Sequence, residues 1–106
     1  MQYKQLWLVL GLTLALPLTA HAAGDPQAGA NKNSMCVGCH GIEGYHTAFP
    51  DVYHVPKLGG QYAEYIVSAL KDYKSGARKH PTMHGIAAQL SDQDMQDLAT
   101  YYSQKK

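Results

Sequence analysis

Residues 34–44 read SMCVGCHGIEG, and the reading of the whole chain turns on them. Both cysteines of the chain lie here, Cys36 and Cys39, with His40 directly behind. On a helix, side chains three and four positions apart share a face, so all three project from one side of one turn. Two sulfurs can then bond the edge of a single flat ligand while an imidazole reaches its centre. Covalent haem attachment asks for that arrangement: each thiol adds to a vinyl group, and the histidine nitrogen meets the iron from one side.

Other uses of a C-x-x-C pair fit less well. A thioredoxin-like redox pair wants a preceding strand and a βαβ setting, and no run here alternates with period two. A Cys2His2 zinc site could recruit His80 and His84, which have H-x-x-x-H spacing. The gap from Cys39 to His80 is far longer than the usual dozen or so residues, and His40 would go unused. A plain disulfide leaves the histidine without a role.

The N-terminus supports export. Lys4 precedes an uncharged apolar run at residues 6–16, LWLVLGLTLAL, which Pro17 ends. The segment TAHA then places Ala20 and Ala22 in the small-residue pattern of a signal-peptidase site. The run is too short to span a hydrocarbon core of about 30 Å as a helix. The expectation is a cleaved secretory signal over residues 1–22 and one domain over residues 23–106, with an uncleaved anchor as the alternative. An oxidising destination disfavours a free thiol pair, so Cys36 and Cys39 should be bonded to something.

Removal of that leader leaves 84 residues with eight Lys and Arg against eight Asp and Glu. Nothing in this neutral balance suggests nucleic acid or an anionic membrane as the main partner. So small a domain buries a meagre core and usually needs a disulfide, a metal or a cofactor.

No internal repeat or low-complexity tract appears. Asp25-Pro26 is a helix start, an N-cap followed by proline at the first helical position, for a helix expected to run to about Val37. Gly29 within it is tolerable if another helix crosses closely. Glycines and the prolines Pro50 and Pro56 make residues 41–60 an extended loop, long enough to imply that it wraps a ligand. The stretch QYAEYIVSALKDYKSG gives a helix with Tyr62, Ile66, Ala69, Leu70 and Tyr73 on one face, ended by Gly76. LSDQDMQDLATYYS opens with Ser91 as N-cap, Asp94 completing a capping box and Leu90 and Met95 as a staple; Met95, Leu98, Ala99 and Tyr102 form its buried stripe. The expected class is all-α, with three main helices and short turns.

The segments CVGCHG, VPKLGGQYAEYIVSALKDYKSGARKHPTM and IAAQLSDQDMQDLATYYS, in that order, resemble the bacterial class I cytochromes c, in particular single-haem modules of the cytochrome c4 and c553 type. The likeness covers essentially all of residues 23–106. The loop YHTAFPDVYHVP departs from it, being longer and more aromatic than the family's usual connection.

The resemblance implies one covalently bound haem c, thioether-linked through Cys36 and Cys39, with His40 on one face of the iron. It implies further that HPTMHG supplies the other axial ligand, Met83. Among the remaining methionines, Met35 abuts the attachment site and Met95 has a core role. The neighbour His84 is the competitor, and would give bis-histidine iron; His80, His46 and His54 are weaker candidates. A thioether favours ferrous iron over what a second imidazole would give and so raises the reduction potential. The Pro56 carbonyl is expected to accept from Nδ1–H of His40. Arg78 is expected either to pair with a haem propionate or to serve as a helix-end cation.

An iron capped on both faces has no vacancy for substrate, so the expected role is one-electron transfer, not catalysis. The implied protein is a periplasmic carrier between redox proteins, with a dehydrogenase or membrane complex as donor and an oxidase or reductase as acceptor. An apolar shell of Tyr62, Ile66, Leu70, Ile86 and Leu98 would keep water from the iron. Lys71, Lys74, Arg78 and Lys79 cluster before Met83, and Asp92, Asp94 and Asp97 after it; both groups read as solvated helix ends or as docking charges. An enzyme with a labile sixth ligand and a non-redox zinc module are the alternatives in other classes.

Overall fold

The computed structural model describes residues 24–49 and 51–106. The expected leader and Pro50 lie outside the described residues. Five helices follow in order: α1 (Pro26–Lys32), α2 (Ser34–His40), α3 (Ala63–Ser75), α4 (Pro81–Ala88) and α5 (Asp92–Ser103). No strand forms among the described residues; a single antiparallel bridge joins His46 to His54 inside the long loop. The class is all-α as expected, with more and shorter helices than the three anticipated.

The differences have local causes. Asp25 caps α1 by accepting from the Gln27 N–H at 2.9 Å. The helix expected to reach Val37 breaks at Asn33, where ψ relaxes to 0°. Asparagine competes with helical bonding through its side chain, and here Asn33 Nδ2 donates to the Tyr101 hydroxyl at 3.3 Å. Helical geometry then resumes through His40. Beyond the three main helices expected, the segment around Met83 forms α4. Pro81 pre-sets its first position, and His80 acts as N-cap, its Nδ1 accepting from the Met83 N–H at 3.3 Å.

α3 stops where expected, because Gly76 takes the left-handed conformation (φ 85°) that lets the chain turn away. α5 carries a complete capping box, with the Asp94 N–H donating to Ser91 Oγ (3.0 Å) and the Ser91 N–H to Asp94 Oδ2 (2.9 Å).

α1 packs on α5, and α3 packs on both α4 and α5. The core consists of Ile66, Val67 and Leu70 from α3, Leu90 before α5, and Met95, Leu98, Ala99 and Tyr102 from α5. Burial of each large apolar side chain contributes about 1.5–3 kcal/mol. Tyr62, expected on the apolar face of α3, is 79% exposed. It lies at the N-cap of α3, where the backbone is extended and no longer follows the helical repeat.

Gly29 is buried where α1 meets α5. A Cβ there would overlap the Asp97 carbonyl oxygen and come 2.7 Å from Tyr101 Cβ. Beneath this contact Asp97 is buried, accepting from the Asp25 N–H (2.8 Å), Lys32 Nζ (2.6 Å) and Gln93 Nε2 (2.9 Å). Asp97 is therefore no docking charge: it ties the N-terminus of α1 to α5. Lys32 also reaches Asp94 at 2.8 Å. Its ammonium holds both carboxyls below the ordinary value, Asp94 at about 2 and Asp97 in the same direction.

Candidate functional site

α2 buries none of its own residues. Cys36, Cys39 and His40 instead border a cavity of about 530 Å³, within the range of small-molecule and cofactor sites. α3 supplies Ile66, Ala69, Leu70 and Tyr73 to its wall, and α5 supplies Leu98 and Tyr102. The long loop closes another side with Thr47, Tyr53, His54, Val55 and Pro56. Met83 and Ile86 of α4 complete the apolar lining. Of the shell anticipated, Ile66, Leu70, Ile86 and Leu98 line the cavity; Tyr62 does not.

Both cysteines are half-buried and unbridged. Desolvation pushes the Cys36 thiol up, while the Tyr102 hydroxyl pulls it back slightly. Burial in turn raises the Tyr102 phenol to about 12, with the neighbouring Cys36 adding to the shift. An apolar chamber with two thiols and an imidazole on one wall suits a large flat apolar cofactor carrying its own metal. Among the described residues no group of three or more His, Cys, Asp or Glu comes together to hold a bare metal ion. The zinc alternative fails here, since His84 lies outside the cavity that Cys36 and Cys39 border.

His40 Nδ1 lies 2.7 Å from the Pro56 carbonyl oxygen. That acceptor makes Nδ1 the protonated nitrogen and leaves Nε2 free as a ligand. Met83 is half-buried against the core and lines the cavity. His84, one residue on, is exposed, with its Nδ1 2.8 Å from the Tyr73 carbonyl oxygen. His80 lines the cavity, but its Nδ1 is committed to capping α4. Met95 is wholly buried in the core, and Met35 reaches the cavity from the α2 side.

Arg78 also borders the cavity, past the end of α3. Its guanidinium donates to the Tyr65 hydroxyl at 3.3 Å and lies over the Tyr73 ring, 4.8 Å from the centroid. No local spacing signals this anchoring through two aromatic residues, because the turn at Gly76 brings Arg78 back to Tyr65. Lys74, counted with the basic cluster, donates to the Leu90 carbonyl and so stabilises the approach to α5. Lys71, Lys74, Arg78 and Lys79 are all exposed.

Comparison with known proteins agrees with this architecture. The cytochrome c family profile matches residues 27–105. Cytochrome c4 of Pseudomonas aeruginosa is 42% identical over 103 residues, covering 97% of this chain and 49% of the relative. Cytochrome c-554(548) of Halomonas halodenitrificans is 42% identical over 87 residues, covering 79% of this chain and 100% of the relative. The crystal structure of reduced recombinant cytochrome c4 from Pseudomonas stutzeri superposes with a TM-score of 0.57 at 27% identity, covering 82% of this chain and 53% of that one. The chain thus spans about half the length of its cytochrome c4 relatives and the full length of a shorter one. A thiol pair, an imidazole and an apolar chamber of this size, in a chain matched over nearly all its described length, lead to one conclusion: it belongs to the cytochrome c family of electron-transfer proteins, which carry covalently attached haem c.

Proposed function

We propose that this chain is an exported, periplasmic one-electron carrier whose haem is tethered by Cys36 and Cys39 and held at its iron by His40 and Met83. The observation that carries the reading is the sorting of side chains around one chamber. Met83 from α4 enters the same cavity as His40 from α2, while the rival His84 is turned out of it. The cofactor supplies an iron that changes between ferrous and ferric states; the protein's work is to hold it still and dry. Pro56 orients His40, and Ile66, Leu70, Ile86 and Leu98 exclude water from the centre of the chamber. Two protein ligands leave no vacancy for a substrate, which favours electron transfer over catalysis.

Partners are redox proteins: a dehydrogenase or membrane complex as donor, an oxidase or reductase as acceptor. Met35, Tyr53 and Tyr65 line the cavity yet remain substantially exposed, giving it an apolar rim. Such a rim suits the small, brief contacts of redox encounters. No helix among the described residues is long and apolar enough to cross a membrane. Export rests on residues 1–22 and is checked by N-terminal sequencing of protein recovered from the periplasm, which should begin near Ala23.

Carbon monoxide separates a carrier from an enzyme. The reduced holoprotein should not bind it at neutral pH, because Met83 as well as His40 would hold the iron. Rapid binding on mixing would mean an open iron and would overturn the carrier reading.

A further inference from the structure

Five histidines lie among the described residues, and three have a ring nitrogen engaged: His40 with Pro56, His80 with the Met83 N–H, His84 with Tyr73. The other two, His46 and His54, are exposed and face one another. They sit opposite each other in the antiparallel bridge of the 41–60 loop. The Thr47 N–H donates to the Tyr53 carbonyl (2.9 Å), and the Val55 N–H donates to the Tyr45 carbonyl (3.0 Å). These bonds flank the histidines instead of joining them. The pair therefore occupies the non-hydrogen-bonded register, where opposite Cα atoms are only about 4.5 Å apart and both side chains leave on the same face.

The register is pinned from the far side too. Thr47 Oγ1 donates to the Asp51 carbonyl at 2.9 Å and accepts from the Tyr53 N–H at 3.1 Å. The two rings are thus presented by a braced segment, with centroids 5.7 Å apart and planes inclined at 49°. Two imidazoles bound side by side to one metal, with metal–nitrogen bonds of about 2.0–2.1 Å, have ring centres roughly 4.5–5.2 Å apart. The observed 5.7 Å lies about half an ångström or more outside that range, a gap that side-chain rotation of two exposed rings can span.

We propose that His46 and His54 form a second metal site, distinct from the haem iron. It would take a late first-row divalent cation, Cu2+ ahead of Ni2+ and Zn2+, with water filling the remaining positions. The borderline-soft imidazole pair selects these ions over Mg2+ and Ca2+, which want oxygen ligands. The site also touches the haem pocket: Thr47 and His54 line the cavity, and Pro56, two residues beyond, holds His40. A cation bridging the loop would brace the segment that orients the imidazole of His40.

The test uses the haem-loaded protein. Calorimetric titration of the ferric form with Cu2+ should show one equivalent bound, with no heat from Mg2+ or Ca2+. His46→Asn and His54→Asn should each weaken binding by tenfold or more, since loss of an outer-shell partner alone costs about 10–100-fold. Both side chains are exposed, so neither change should unfold the chain, and a cooperative circular dichroism melt certifies the fold of each variant. As a second readout on the wild type, Zn2+ added to the ferrous form should shift the amide signals of residues 45–47 and 53–55 and slow hydrogen exchange at the Thr47 and Val55 N–H groups. A His46→Asn/His54→Asn double variant with wild-type Cu2+ affinity, or Zn2+ shifts centred elsewhere in the chain, would overturn the proposal.

Discussion

Replacing Gly29 by alanine sets two opposing effects against each other. Alanine is the better helix former by about 1 kcal/mol, so helix propensity alone predicts stabilisation. The packing predicts the reverse. The added methyl would overlap the Asp97 carbonyl oxygen and sit 2.7 Å from Tyr101 Cβ, where ordinary contacts need 3.4 Å or more. Relief requires α1 and α5 to separate by close to an ångström. Overpacking of this kind costs about 1–3 kcal/mol. The same movement pulls Asp97 away from the Asp25 N–H and Lys32, and a hydrogen bond to a charged group is worth about 1.5–3 kcal/mol. Subtracting the propensity gain leaves a net loss of about 2–4 kcal/mol. For a domain this size, each kcal/mol moves the midpoint by about 4–8 °C, so Tm should fall by roughly 10–30 °C. Circular dichroism melts of the ferric holoprotein at neutral pH measure it. A Gly29→Ala protein melting within 2 °C of wild type, or above it, would refute the close crossing.

Acid should loosen the same junction. Asp94, lowered from 3.8 to about 2, and Asp97, shifted the same way, are held down chiefly by Lys32. A carboxyl with a depressed folded pKa adds stability that is fully present above its unfolded pKa and drains as pH falls through the folded one. Tm should therefore drop between pH 4 and pH 2, and Lys32→Met should flatten that drop while lowering Tm at pH 6; identical slopes would contradict the ion-pair account. Removing the cofactor should be more severe. Without thioether attachment, in a Cys36→Ser/Cys39→Ser chain, a cavity of about 530 Å³ walled by Ile66, Leu70 and Leu98 would fill with water. Such a protein should lose its cooperative melt, and a sharp transition near that of the holoprotein would show that the fold needs no haem.

What could be read from the chain was local in origin. The capping box of α5, its Leu90–Met95 staple and its buried stripe depend on spacings of three to five residues, and all are present. Gly76 ends α3 because the left-handed position selects glycine whatever surrounds it. The role of Asp97 was hidden for the opposite reason. Its partners, Asp25 and Lys32, are 72 and 65 residues distant, so spacing classed it with the solvated Asp92. Asn33 interrupts the first helix beside Tyr101, another contact made only after α1 docks on α5. α4 escaped notice because histidine is an unusual N-cap and its eight residues show no strong stripe. Cys36, Cys39 and His40 stand out from one motif, and the fold sets all three beside the cavity. Met83 was singled out through the resemblance, and only the folded chain places it in the cavity with His84 outside.

That last contrast yields the most direct test of the account. A thioether bound to ferric haem iron gives a charge-transfer band in the near infrared. The oxidised holoprotein should show it, Met83→Ala should abolish it, and His84→Ala should leave it intact. A wild-type protein lacking the band, or one that loses it only in His84→Ala, would contradict the assignment of Met83 to the iron.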